Sequence, residues 1–352
     1  MYRKIMDFLE AWKENEHRKP LILQGARQVG KTYSILEFGR THYENVAYFN
    51  FETNPKLNET FEENISPDYL IPILSHIAGQ TIVREKTLIV FDEVQLCERA
   101  LTSLKYFCEN APDYHIIVAG SLLGVAVNRA KFSFPVGKVD MKTLYPMDME
   151  EFMLALGEDD LIKQIKECFQ TDTPLPSALH DAAMQLYRQY LVVGGMPECV
   201  IQFAETKDYI LVRHTQDTIL VSYLNDMSKY NNLNEIKKTR LAYDNITVQL
   251  SKKNTRFQYK LIKKGGRASE FENAIEWLCL SGIVSQVYKV EQIKKPLENY
   301  RDIDAFKIYV SDLGLLCAKK DLAANDILYM VEEINDFKGG MAENYVNVQL
   351  SI

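Results

Sequence analysis

Apolar residues in the first half of the chain gather into short, nearly unbroken runs. They are Leu21-Ile22-Leu23 before Gln24-Gly25, Val46–Phe51, Leu88–Phe91 before Asp92-Glu93, and "HIIVAGS" at 115–121, with Val139–Leu144 as a fifth, more mixed strand. Such runs lack the in-out alternation of a half-exposed strand, so they predict strands covered on both faces, as in a parallel sheet. Between them the spacing turns helical. Ile35, Leu36 and Phe38 mark a helix from Thr32 that Gly39 can end, and Leu96, Ala100, Leu104 and Phe107 fall on one face of another. Strands alternating with helices predict an α/β fold: a doubly wound, three-layer αβα parallel sheet with right-handed crossovers over residues 1–155.

The pattern changes in the second half. Residues 153–235 carry mostly helical spacing, with "TDTPLPS" (171–177) as a proline break and "VVGGMPE" (192–198) as a forced stop that reads as a hinge, a nucleotide-sensing turn or an ordinary turn. Ser269 and Glu272 stand at capping-box spacing before Phe271, Ala274, Ile275 and Leu278, and Ser281-Gly282 stops that helix. Two strand-like runs follow, 283–290 and 306–310, so a helix and a hairpin come together as in a winged helix. The expected organisation is a nucleotide-binding domain (1–155), a helical connector or lid (156–235), a winged-helix-like domain (236–320) and a terminal piece (321–352). With 16 Gly and 11 Pro in 352 residues, no stretch resembles a long flexible linker.

Composition narrows the class. No apolar run approaches the roughly 18 residues that cross a bilayer, and the N-terminus has no signal-peptide stretch, so no membrane role and a cytoplasmic location are expected. The six cysteines are dispersed, which argues against a disulfide framework or a zinc ribbon, and no two of the six histidines stand at i,i+4. A net charge of −7 disfavours indiscriminate coating of nucleic acid. One local exception is 252–267, with Lys252, Lys253, Arg256, Lys260, Lys263, Lys264 and Arg267, no acid, and the aromatics Phe257 and Tyr259. It is a candidate for nucleic-acid contact, and equally for a solvated face or a contact with acidic parts of the protein.

The chemistry lies at the ends of the predicted strands. Residues 25–32 spell G-A-R-Q-V-G-K-T, the phosphate-loop pattern. Gly25 and Gly30 let the backbone bend so that the N–H groups of Ala26, Arg27, Gln28, Val29 and the residues up to Tyr33 can surround an anion at a helix N-terminus. Lys31 is expected to reach the β- and γ-phosphates of ATP, and Thr32 to ligate Mg²⁺. The strand 87–92 delivers Asp92 to hold Mg²⁺ and Glu93 to orient and deprotonate a water, a pairing that favours hydrolysis over small-molecule phosphorylation. Ser121, at the tip of a strand, fits a γ-phosphate sensor or a helix cap. Arg27, Arg129 and Lys138 are candidates for an arginine finger or its equivalent, which an oligomer can also supply in trans. No N-K-x-D guanine motif is present.

"GARQVGKT", "LIVFDEVQ", "VAGSLLG", "FSFPVGKVDMKTLYPMDMEEF", "YLVVGGMPE" and "FKIYVSDLGLL" together resemble a large bacterial and archaeal family of predicted AAA-type ATPases. Its ATPase domain is joined to a C-terminal region of unknown function, and the resemblance runs from about residue 17 to the end. It implies a nucleoside-triphosphatase core, a helical connector, a winged helix and a terminal domain similar to the PD-(D/E)XK nuclease fold. Residues 337–352 resemble the opening helix of that last domain, with Glu343 at its first acid. The remaining acids and the lysine have no counterpart here, so nuclease chemistry does not follow and a truncated or naturally shortened member is expected. Three functions stay open: an ATPase that moves its winged-helix region, a slow-turnover switch for complex assembly with a protein partner or further copies of itself, and an ATP-regulated nucleic-acid-binding protein.

Overall fold

The computed structural model describes residues 1–121, 134–229, 233–252 and 256–352. Its contacts divide the chain into two compact units, Arg3–Tyr145 and Pro146–Ile352, the latter with Met1–Tyr2.

The first unit runs α1 (Ile5–Glu14), β1 (Leu21–Gly25), α2 (Lys31–His42), β2 (Asn45–Asn50), α3 (Leu57–Glu63), α4 (Pro67–Ala78), β3 (Thr87–Asp92), α5 (Glu98–Asn110), β4 (His115–Ser121) and β5 (Asp140–Thr143). The five strands form one parallel sheet in the order β2-β3-β4-β1-β5. Every residue of β3 is buried, which is why that stretch reads as a continuous apolar run. Phe49, Phe51, Phe61 and Phe91 pack with ring centroids 5.5–6.0 Å apart over one part of the sheet, each such ring contributing about 1.5–3 kcal/mol by burial. Leu96 departs from expectation. It lies in a 3₁₀ turn ahead of α5 and is exposed, and the helix buries Ala100, Leu101, Leu104 and Phe107. The chain turns sharply at Glu93, so helical geometry begins only after Cys97 and the projected face shifts.

The second unit is helical: α6 (Met149–Ala155), α7 (Asp159–Gln170), α8 (Ser177–Val193), α9 (Pro197–Thr206), α10 (Tyr209–Lys229), α11 (Leu233–Ser251) and α12 (Ala268–Leu280). It continues with strands β6 (Val284–Val290) and β7 (Arg301–Val310), then α13 (Leu313–Lys319), α14 (Ala324–Leu328) and α15 (Asn335–Ser351). The strands pair antiparallel, Val284 opposite Val310 and Tyr288 opposite Phe306. The capping box expected at Ser269 and Glu272 does not form. The helix starts earlier, with Arg267 as N-cap and no side-chain cap, which places Ser269 inside the first turn. Helix α15 is fastened to β7 by Asn344, whose amide exchanges two hydrogen bonds with the Val310 backbone, and Glu343 is paired with Lys307 at 2.7 Å.

The "VVGGMPE" and "SDLGLL" segments meet in the interior of this unit. Asp312, 2% exposed, accepts the N–H of Gly195 at 2.6 Å and of Leu315 at 2.8 Å. Met147 N–H donates to Gly195 O, and Tyr190 donates its hydroxyl proton to Met147 O, both at 2.7 Å. The glycines are there for close approach. A Cβ on Gly195 would lie 1.9 Å from Met147 O, and one on Gly314 2.3 Å from Val193 O.

The described basic residues of the basic stretch are exposed, but not all of its aromatics stand beside them. Phe257 is buried against Phe306, to whose carbonyl its N–H donates, and Lys263 pairs with Glu270 at 3.3 Å. Lys253 lies outside the described residues. Among the described residues no helix is long and apolar enough to cross a membrane.

Candidate nucleotide site

In a parallel sheet, ligands bind at the carboxyl ends of the strands. There β1 gives way to the loop Ala26–Gly30 and α2 begins at Lys31. Gly25 passes so close to Leu144 that an added Cβ would lie 2.2 Å from its carbonyl oxygen. Gln28 (φ 64°) and Gly30 (φ 92°) occupy the left-handed region, which curls the loop. Ala26 and Val29 are buried and anchor it, whereas Arg27 and Gln28 face outward to differing degrees and Tyr33 is exposed. The Lys31 ammonium lies across the loop, donating to Gly25 O at 3.0 Å and Ala26 O at 2.7 Å. Burial lowers its pKa to about 8, against the upward pull of Glu93 and Asp92.

The second motif closes on the first. Thr32 Oγ1 donates to Asp92 Oδ2 at 2.9 Å across 60 positions of sequence. Asp92, 5% exposed, also accepts the Glu93 N–H on Oδ1 at 3.0 Å and the Tyr48 hydroxyl on Oδ2 at 2.7 Å. Glu93 holds φ 52°, a left-handed conformation that costs a non-glycine residue about 1–3 kcal/mol. Its carboxylate accepts a hydrogen bond from the Gln95 amide.

Sequence reasoning missed two residues. Arg3, 3% exposed, donates to Val29 O at 3.0 Å and Tyr145 O at 2.8 Å, so it ties the phosphate loop to the end of the unit. Tyr48 is the other. Neither stands in a motif, and only tertiary contact reveals them. Among the finger candidates, Lys138 is engaged by Glu109 at 3.0 Å. Ser121 pairs through its backbone with Gly25. The sensor role expected of its side chain falls outside the described residues, as does Arg129.

The donor set suits Mg²⁺ with a phosphate ligand. Thr32 gives its proton to Asp92 and keeps its oxygen lone pairs for a hard cation, and Mg²⁺ typically takes one or two protein oxygens and completes its shell with phosphate and water. Among the described residues no group of three or more His, Cys, Asp or Glu gathers to hold a metal alone.

Residues 17–153 match a family model described as an AAA domain, and residues 184–326 match a domain of unknown function. Over residues 17–153 the chain is thus similar to AAA domains. It is similar in fold to the Walker-type ATPase of Pyrococcus abyssi, at 14% identity and a TM-score of 0.55, over 91% of this chain and 95% of that one. Weaker likenesses are the Aeropyrum pernix ORC1 protein in complex with DNA (13% identity, TM-score 0.32, 91% of each chain) and a Thermotoga maritima RuvB variant (14%, 0.36, 80% of this chain and 87% of that one). No curated protein matches the chain. An AAA domain implies a P-loop nucleoside-triphosphate site used together with Mg²⁺.

Proposed function

We propose that the protein is a Mg²⁺-dependent ATPase whose nucleotide state changes the Pro146–Ile352 unit, where α12 and the β6–β7 hairpin form a winged-helix-like module. The Thr32–Asp92 hydrogen bond carries this reading, because it joins the phosphate loop to the acidic strand end in one site. The N–H groups of Gly25–Thr32 and the Lys31 ammonium hold the phosphates. Thr32 and Asp92 hold Mg²⁺, which when bound neutralises charge developing on the transferred phosphoryl group. Glu93 orients the attacking water and accepts its proton, and Ser121 senses the γ-phosphate.

One observation favours a slower variant of this function. The Glu93 carboxylate is engaged by Gln95, which supports a switch that holds ATP until that contact opens. Steady-state ATP hydrolysis by wild type beside Glu93→Gln separates the two. Removal of a positioned base lowers the rate by about 10²–10⁴. Equal, near-zero rates with ATP still bound identify the switch, and failure to bind ATP discards both.

A further inference from the structure

The geometry points to Tyr48 as the residue that positions Asp92 for the metal, an inference that rests on the Mg·nucleotide reading above. Tyr48 lies on β2, the edge strand beside β3, two residues before Asn50, which stands in register with Asp92. Its hydroxyl reaches Asp92 Oδ2 at 2.7 Å, the same oxygen that receives the Thr32 proton. The phenol oxygen is itself held, accepting the Asn50 amide at 3.2 Å. Asn50 Oδ1 in turn accepts the N–H groups of Glu52 and Thr53, both at 2.9 Å.

This relay fixes a torsion that is otherwise soft. Rotation about the last bond of an aspartate is broad, so a carboxylate pinned on one oxygen alone can swing. Here Oδ1 is pinned by the Glu93 N–H and Oδ2 by two hydroxyls, which sets the carboxylate plane before any ligand arrives. The phenol hydroxyl suits this work as a neutral donor to an anion, a charge-assisted bond that adds no competing charge. The ring is 38% exposed, so it does little as core, and its hydroxyl is the part that engages the site.

The test is Tyr48→Phe, which keeps the ring on the edge strand and removes only the hydroxyl. A fluorescent ADP is titrated into each protein in EDTA, and Mg²⁺ is then titrated into the nucleotide-bound protein. Partners that orient a metal ligand typically contribute about 10–100-fold to metal affinity. The Mg²⁺ midpoint should therefore rise about tenfold or more, with ADP affinity in EDTA held within about twofold. Mn²⁺ binding followed by electron paramagnetic resonance should weaken in parallel. Unchanged Mg²⁺ midpoints in a nucleotide-binding Tyr48→Phe protein overturn the assignment, and so does an equal loss of ADP affinity with and without metal. Failure of the wild type to bind ADP or respond to Mg²⁺ removes the nucleotide reading itself.

Discussion

Asp92 and Asp312 are both buried carboxylates just beyond or at the end of a strand, one in each unit, yet their partners differ in kind. Asp92 meets two side-chain hydroxyls, from Thr32 and Tyr48, and one N–H. Among the described residues Asp312 meets only backbone N–H groups, from Gly195 and Leu315 at short distance and from Gly314 and Met196 around them. Burial pushes the Asp312 carboxyl up to about 6 against the downward pull of those donors. A carboxylate that faces side-chain hydroxyls at the sheet's carboxyl edge can exchange partners with a ligand. One wrapped in main-chain amides is holding segments together.

The largest effect that would sharpen this contrast is on stability. Gly195→Ala places a methyl 1.9 Å from Met147 O and 2.8 Å from Met147 C and N, backbone atoms that cannot rotate out of the way. It should destabilise the second unit by roughly 3 kcal/mol, seen in chemical denaturation, while the folded fraction still binds nucleotide. Loss of nucleotide binding without loss of stability would break the division.

Arg3 tests it from the other side, since this residue of the sheet unit also grips main-chain carbonyls. Arg3→Ala removes both donors and should cost about 2 kcal/mol. It should weaken ADP binding several-fold as well, because Val29 lies in the phosphate loop; calorimetry and thermal unfolding read the two effects separately.

The smallest effect is a pH dependence. The free Lys31 ammonium loses its proton near pH 8, and phosphate favours the charged form, so above that pH binding must take up a proton. The Lys31 contribution to nucleotide affinity should fall by up to about tenfold per unit above pH 8, until the bound-state value is reached. Lys31→Arg, which stays charged, should bind with no such fall.

The sheet was legible in the sequence because strands buried on both faces leave runs such as Leu88–Phe91. The phosphate loop was legible because an anion cradle needs glycine and lysine at fixed spacing. Contacts made across the fold left no such trace. Arg3 reads as one charge near the N-terminus and Tyr48 as one aromatic in a strand, until β2 and β3 pair. Local rules also lost to tertiary context. Ser269 had the spacing of a cap but sits inside the helix, and Phe257, grouped with basic residues, is buried on Phe306.

The most direct measurement sets Asp92→Asn beside Asp312→Ala in Mg·ADP titration and thermal unfolding. Asp92→Asn should keep its melting temperature and lose the Mg²⁺-dependent part of nucleotide binding. Asp312→Ala should melt lower, since the buried N–H groups of Gly195 and Leu315, and those of Gly314 and Met196 around them, lose their acceptor at about 1–3 kcal/mol each, and its folded fraction should bind Mg·ADP like wild type. The reverse result, Mg·ADP binding unchanged in Asp92→Asn and lost in a fully stable Asp312→Ala, would contradict the account.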